Sequence, residues 1–242
     1  MKIAVITSAP EMITSCIDST ILRKAVKGKH VDFYLIDIRD FADNDYKQID
    51  DTPFGGGDGM VLMAEPLMRS IEYSLNLMSS SIENTNIVYP SPQGQQWNQE
   101  QAEKNVHVKN FIFICGRYKG VDQRVIDKFV THEYSIGDYV VSNGELSSMV
   151  IIDSIIRLNP GTLNNINSAR TDSFSGELLD YPHYTKPRIV EGLTVPGVLL
   201  EGHHEKIKLW RKNKSEVLTK QKRPDIWKKY NKSIKHMEFN HE

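Results

Sequence analysis

The chain is poor in the features that mark several large classes of protein. Only two cysteines, Cys16 and Cys115, occur in 242 residues, too few for a disulfide framework and, alone, for a zinc site. Neither sits in a nucleophile motif. Cys115 closes the apolar run "FIFIC", where a buried thiol is the ordinary outcome. No apolar stretch approaches the roughly 18 residues that a membrane span needs. The opening "MKIAVITSAPEM" brings Pro10 and Glu11 too early for a signal-peptide core, so the expectation is a cytoplasmic protein. A nucleotide fingerprint is missing as well. The most glycine-dense segment, "FGGGDGM" from Phe54 to Met60, has neither G-x-G-x-x-G nor the Lys-Ser/Thr pair of a phosphate loop. It lies in a polar connection, Arg39 to Gly59, where a lid over a ligand and a plain tight turn both remain open. His203, His204 and Glu205 are adjacent and would point in different directions on a helix, so no metal site is read there.

What is present fits an ordinary globular protein. Apolar residues make up 39% and charged residues 25%, enough for a sizeable core in one large domain or in one domain with an appendage. The net charge of −1 is unevenly spread. Glu201 to Glu242 holds twelve Lys/Arg against six Asp/Glu, so this tail carries +6 and the remainder −7. That asymmetry suggests a polyanion contact at the C-terminal end, with a solvated basic surface as the plain alternative.

Five segments read as strands: Lys2 to Thr7, Val31 to Ile38, Asn86 to Pro90, Asn110 to Cys115 and His132 to Ile136. Helix-length stretches lie between them, at Glu11 to Lys27, Pro66 to Met78, Asn98 to Lys104 and Asp122 to Lys128. A further helix is expected from Leu146 to Arg157, stopped by Asn159-Pro160-Gly161. Alternation of this kind predicts an α/β fold with a mostly parallel sheet and ligands at the carboxyl ends of the strands. Those ends are "YPSPQG", "CGRYKG" and "SIGDYVVSNGEL", which should therefore face one crevice. Glycines there would let a flat ring approach main-chain N–H and C=O groups, with Ile136, Tyr139 and Val141 as apolar walls; each segment taken alone also reads as a plain turn, and their common placement favours a pocket. The polar segment "TLNNINSARTDSFSGE" reads as a linker. The remainder reads as a small helical C-terminal domain with Ile207, Leu209, Trp210, Val217 and Leu218 as candidate core. The divisions expected are residues 1–160, 161–176 and 177–242. Within them, Asp172 taken alone reads as a solvated or capping acid, and Arg157 as a counter-charge at a helix end.

Seven motifs in order, "DDTPFGGGDGM", "YPSPQG", "CGRYKGVDQRV", "SIGDYVVSNGEL", "DSIIRLNPG", "TDSFSGELLDYPHYTKP" and "KRPDIW", resemble the TrmD family of bacterial tRNA (guanine-N1)-methyltransferases, over nearly the whole chain. The resemblance implies a SPOUT-type α/β domain with a deep trefoil knot, a homodimer, and S-adenosylmethionine held at the knot. It implies a cofactor slot of Tyr89, Pro90, Ser91, Pro92, Gly94, Gly116, Arg117, Ser135, Ile136, Gly137, Asp138, Tyr139, Val140, Val141, Asn143 and Gly144, with Asp180 near the methionine amino group. Asp172 matches the family's general base, and Arg157 a cation that would stabilise charge on guanine O6. The implied substrate is the tRNA anticodon stem-loop, methylated on the guanosine 3′ of the anticodon, position 37. The basic tail, including Lys206, Lys208, Arg211, Lys212, Lys222 and Arg223, would follow its phosphates. The polar segment 162–174 would order only when tRNA binds. Five positions depart from the family pattern: Thr52 for Arg, Asp58 for Pro, Lys119 for Glu, Asn143 for Gly and Ser147 for Pro. Lys119 inverts a charge, which leaves any magnesium requirement open. The alternatives are a divergent paralogue acting on another RNA or a small molecule, and an RNA-binding protein without turnover.

Overall fold

The computed structural model describes residues 1–162 and 172–239. The chain divides into two compact units, Met1–Asn164 and Asn165–Glu242. The first is built on a sheet of five parallel strands in the order β2-β1-β6-β5-β7. These are β1 (Lys2–Thr7), β2 (Asp32–Asp37), β5 (Asn86–Gln96), β6 (Asn110–Ile114) and β7 (His132–Ser135). Two short strands, β3 (Asp50–Asp51) and β4 (Val61–Leu62), pair antiparallel outside it.

Helices cover both faces of the sheet, which explains why the strands read as nearly unbroken apolar runs. Ala4, Ile6, Ile112 and Ile114 point to one side, into a core shared with Leu67 and Ile71 of α3 (Ala64–Met78) and Val125 of α5 (Gln123–Phe129). The alternate residues Ile3, Val5, Phe111 and Phe113 point to the other side. There they meet Ile13 of α1 (Pro10–Ile17), Leu22 of α2 (Thr20–Lys27) and Ile152 of α6 (Gly144–Ile156). The period-2 alternation of the strands thus fills two cores at once. α4 (Gln99–Asn105) follows β5, with Asn98 capping it through its side chain and Gln101 N.

In the elements around the sheet, three departures from the sequence expectation stand out. The stretch expected as one helix from Glu11 to Lys27 breaks at Asp18 and Ser19, where Ser19 has extended dihedrals and begins α2. The strand expected to end at Pro90 resumes. Pro90 and Gln95 both lie opposite Tyr134 of β7, so residues 91–94 bulge from the ladder. Pro90 and Pro92 have no N–H to donate, and the ladder continues only where donors return. Finally, β3 and β4 were not expected. They tie the glycine-dense loop to the segment after β6, through Lys119 N to Met60 O (3.0 Å), Leu62 N to Gly120 O (3.0 Å) and Asp122 N to Leu62 O (3.0 Å).

In the second unit a two-stranded ribbon, β8 (Ile189–Val190) and β9 (Leu193–Thr194), turns at Glu191 and Gly192, both at positive φ, as tight hairpins require. Two helices follow, α7 (His204–Lys222) and α8 (Pro224–Phe239), the second opening with Pro, whose missing N–H costs nothing in a first turn. Thr219 of α7 is fully buried and accepts from Leu179 N at 2.9 Å. Of the core candidates on α7, Ile207, Trp210 and Leu218 are partly buried, while Leu209 and Val217 are exposed. The small residues Ser215 and Thr219 occupy the buried face instead. Most of the segment expected as a linker, including its proposed ordering on tRNA, lies outside the described residues. Among the described residues, no helix is long and apolar enough to cross a membrane.

Candidate active site

The carboxyl ends of β5, β6 and β7 bound a single cavity of about 360 Å3, within the range of small-molecule sites, roughly 300–1,000 Å3. Its lining comes from the three segments named from the sequence. Tyr89, Pro90, Ser91 and Pro92 form one wall, Gly116 and Arg117 a second, and Ser135, Ile136, Gly137, Tyr139, Val140, Val141, Asn143 and Gly144 a third. Residues 136–143 belong to no helix or strand, so their main chain is not consumed by a ladder. Asn143 then caps α6, accepting from Leu146 N at 3.2 Å.

Three glycines make this arrangement possible, each differently. A Cβ on Gly144 would stand 2.4 Å from Gly116 N, and Gly144 N donates to Gly116 O at 2.8 Å, so α6 starts in direct contact with the end of β6. Gly116 itself faces the Tyr89 ring, 2.9 Å from where a Cβ would be. Gly94 is not part of the lining. A Cβ there would come within 2.4 Å of the Glu133 and Tyr134 backbone, so this glycine lets the bulged strand return against β7 rather than receive a ligand. Asp138 is also absent from the lining and is exposed. The chain turns at Gly137, φ 142°, and carries the next side chain outward.

Six lining residues were not named as cofactor contacts from the sequence: Tyr118, Lys119, Gly120, Tyr134, Ser142 and Ser147. All but Tyr134 and Ser147 fall inside the motifs "CGRYKG" and "SIGDYVVSNGEL", and continuity of those motifs was the available signal. Lys119 also packs its side chain over Gly59, 3.0 Å from a Cβ position there, which joins the glycine-dense loop to the cavity wall. Gly55, Gly56 and Gly57 face open space at positive φ, so at those positions glycine serves the turn.

Behind the wall lies a buried polar network. Glu145 is 1% exposed and accepts from Thr7 Oγ1 at 2.5 Å and from Arg117 Nη2 at 3.3 Å, both on Oε1. Among the described residues, its Oε2 and Arg117 Nε are buried without hydrogen-bond partners. Burial, with the Glu145 charge nearby, pushes the Cys115 thiol above its ordinary range. Burial likewise raises the Tyr89 phenol above its ordinary range.

The other sequence-named residues are carried by other elements. Arg157 is the C-cap of α6, whose first turn touches the cavity. Thirteen helical residues at about 1.5 Å each put roughly 20 Å between those ends, beyond the reach of an arginine side chain. Asp172 and Asp180 belong to the second unit. The Asp172 carbonyl accepts from Ser175 N at 3.2 Å. Asp180 accepts from Tyr181 N at 2.8 Å and pairs with His183 Nε2 at 2.8 Å. It borders a second cavity, with Tyr181 and the α7 residues His204, Lys208, Arg211 and Lys212. Among the described residues no group of three or more His, Cys, Asp or Glu is arranged to hold a metal ion.

Comparison with known proteins places the chain. The family model described as tRNA (Guanine-1)-methyltransferase TrmD matches residues 1–229. A tRNA (guanine-N(1)-)-methyltransferase of Buchnera aphidicola subsp. Schizaphis graminum is 46% identical over 231 residues, 96% of this chain and 86% of that protein. One from Clostridioides difficile is 43% identical, covering 96% of this chain and 99% of the relative. One from Brevibacillus brevis is 45% identical, covering 95% and 92%. With a parallel α/β sheet and a family match across nearly its whole length, the chain belongs to the TrmD family of tRNA (guanine-1)-methyltransferases.

Proposed function

We propose that this chain methylates N1 of guanosine in tRNA, at the nucleoside 3′ of the anticodon (position 37), with S-adenosylmethionine as donor. The observation that carries the proposal is the convergence of three glycine-bearing segments on one cavity at the strand ends, in a chain of this family. The cavity fits the donor's chemistry. Tyr89, Ile136, Tyr139 and Val141 offer apolar surface to an adenine ring, main chain from 136 to 143 is free of any ladder, and Arg117 brings a buried N–H that has no partner among the described residues. Val140 is exposed on the same loop.

When bound, S-adenosylmethionine supplies a sulfonium methyl; the new N1–C bond forms as the C–S bond breaks, and its electron pair stays on sulfur. Guanine N1 carries a proton near neutral pH, so a base must remove it, and Asp172 is assigned that proton. Arg157 is assigned the charge that then gathers on O6. Because Arg157 lies roughly 15 Å along α6 from Ser147, the lining residue of that helix nearest to it in sequence, the proposal requires a homodimer in which one protomer's Arg157 serves its partner's cavity. Leu146 and Val150, both exposed on α6 near the cavity, are an apolar face suited to a second copy. Asp180 is assigned to the donor's amino group, and the lining residues to its adenosine. The connection threading Gly144 against Gly116 is proposed to be the trefoil knot, an exception to the usual rule of unthreaded chains. The basic second unit is assigned to the anticodon stem-loop, and the protein to the cytoplasm. Magnesium has no residue assigned to it, since Lys119 brings a cation to the wall.

Incubation with donor labelled in its methyl group and a tRNA transcript tests the reading. Label should enter the transcript bearing guanosine 37 and not one with adenosine there. Transfer to both, or to neither, refutes it. Asp172→Asn should retain donor binding and lose about 10²–10⁴-fold in turnover.

A further inference from the structure

Glu145 has no role in the reading above, yet it is a buried carboxylate bonded directly to a residue that lines the cavity. An acid in the first turn of a helix is ordinarily a surface complement to the helix dipole. Glu145 is instead 1% exposed and is gripped from two other elements. Thr7, at the carboxyl end of β1, accepts from Ala9 N at 2.9 Å, which orients its hydroxyl to donate to Glu145 Oε1 at 2.5 Å. The helix bearing Glu145 cannot slide, because Gly144 is bonded to Gly116 O and has no room for a Cβ against Gly116 N. The carboxylate is therefore a fixed point. Arg117, whose side chain is 28% exposed and lines the cavity, donates to it from Nη2 at 3.3 Å.

This pair is half made. Arginine and carboxylate can join through two parallel N–H···O bonds, and here Arg117 Nε and Glu145 Oε2, a donor and an acceptor, are both buried and have no hydrogen-bond partner among the described residues. The one bond it does make ties the guanidinium of a cavity-lining residue to a buried charge.

We propose that Glu145 is a positioning residue: anchored by Thr7, it sets the Arg117 guanidinium in the cavity wall for the bound methyl donor. The inference rests on the reading of that cavity as the donor site. It acts on donor affinity rather than on the transfer step, because Glu145 touches Arg117 and Thr7 and does not line the cavity.

The test is calorimetric titration of the full-length protein with S-adenosylmethionine and with S-adenosylhomocysteine, for the wild type, Glu145→Gln, Arg117→Met and the double variant. Glu145→Gln keeps the shape and loses the charge. It should raise Kd about tenfold, leave kcat at saturating donor within about twofold, and have no further effect when Arg117 is already Met. An unchanged Kd in Glu145→Gln overturns the inference, as does a loss of the same size in the Arg117→Met background, which would mean that Glu145 acts by another route. Should Glu145→Gln fail to fold, Thr7→Val carries the test: a raised Kd that disappears in the Arg117→Met background supports the inference, and an unchanged Kd overturns it. A wild type that binds neither compound removes the reading of the cavity and this inference together. Wild-type binding alongside an unaffected Glu145→Gln removes the inference alone.

Discussion

Gly94 and Gly144 show how a single missing methyl decides where chain segments can cross. Each would drive a Cβ to within 2.4 Å of backbone atoms in a distant segment, β7 for Gly94 and the turn after β6 for Gly144, and backbone cannot step aside as the end of a side chain does. Gly94→Ala and Gly144→Ala should each destabilise the fold by at least the ~1–3 kcal/mol of an overpacked core, read as a lower midpoint in urea. Gly176→Ala, with nothing within 4 Å and no positive φ, should leave the midpoint nearly unchanged. The two thiols should differ as sharply. Cys16 is partly exposed, whereas Cys115 is buried, with its thiol pushed up. Only the thiolate attacks, so a thiol reagent at pH 8 should modify Cys16 quickly and Cys115 only on unfolding. Equal rates in native protein would contradict the burial. The buried thiol was legible in "FIFIC"; Gly94's part was not, because its neighbours Glu133 and Tyr134 are distant in sequence.

Among the elements, the strands were the most legible. Alternate residues fill two cores, and the resulting apolar runs marked β1, β2, β6 and β7 to within a residue or so of their ends. β5 was half legible, since two prolines concealed a strand that resumes after residues 91–94. β7 lies at an edge of the sheet and carries His132, whose imidazole sits below its ordinary range because burial disfavours the charged form. The unfolded imidazole takes up its proton near pH 6.5, and the folded one resists to lower pH. Between those values the unfolded state binds more protons, so this contribution to stability is full above about pH 6.5 and declines as pH falls through the folded value. The melting temperature should therefore drop on acidification from pH 7 to 5, and His132→Gln should reduce that drop. An identical drop in the variant would show that other groups carry it. α7 was legible as a helix but not by its faces. Leu209 and Val217 are exposed while Ser215 and Thr219 are buried, because small residues allow close approach where Thr219 receives Leu179 N.

For the whole molecule, the charge asymmetry is the property most open to measurement. If the second unit follows tRNA phosphates, log Kd should rise steeply with log salt, and Lys208→Ala or Lys212→Ala should each lower that slope by about one. A slope unaffected by either would assign the basic face to solvent. By itself, the sequence determined what depends on neighbouring residues. That includes the alternating strands and helices, the glycine-bearing turns at the strand ends, the basic tail and the family motifs, all of which follow from local periodicity and turn chemistry. Only the tertiary structure decided which strands lie side by side, where Arg157 falls relative to the cavity, and that Thr7, Arg117 and Glu145 meet. Those outcomes depend on pairing between segments up to 138 residues apart, selected by the burial of two cores and by the few places where a backbone lacks a Cβ, and no short-range pattern encodes them.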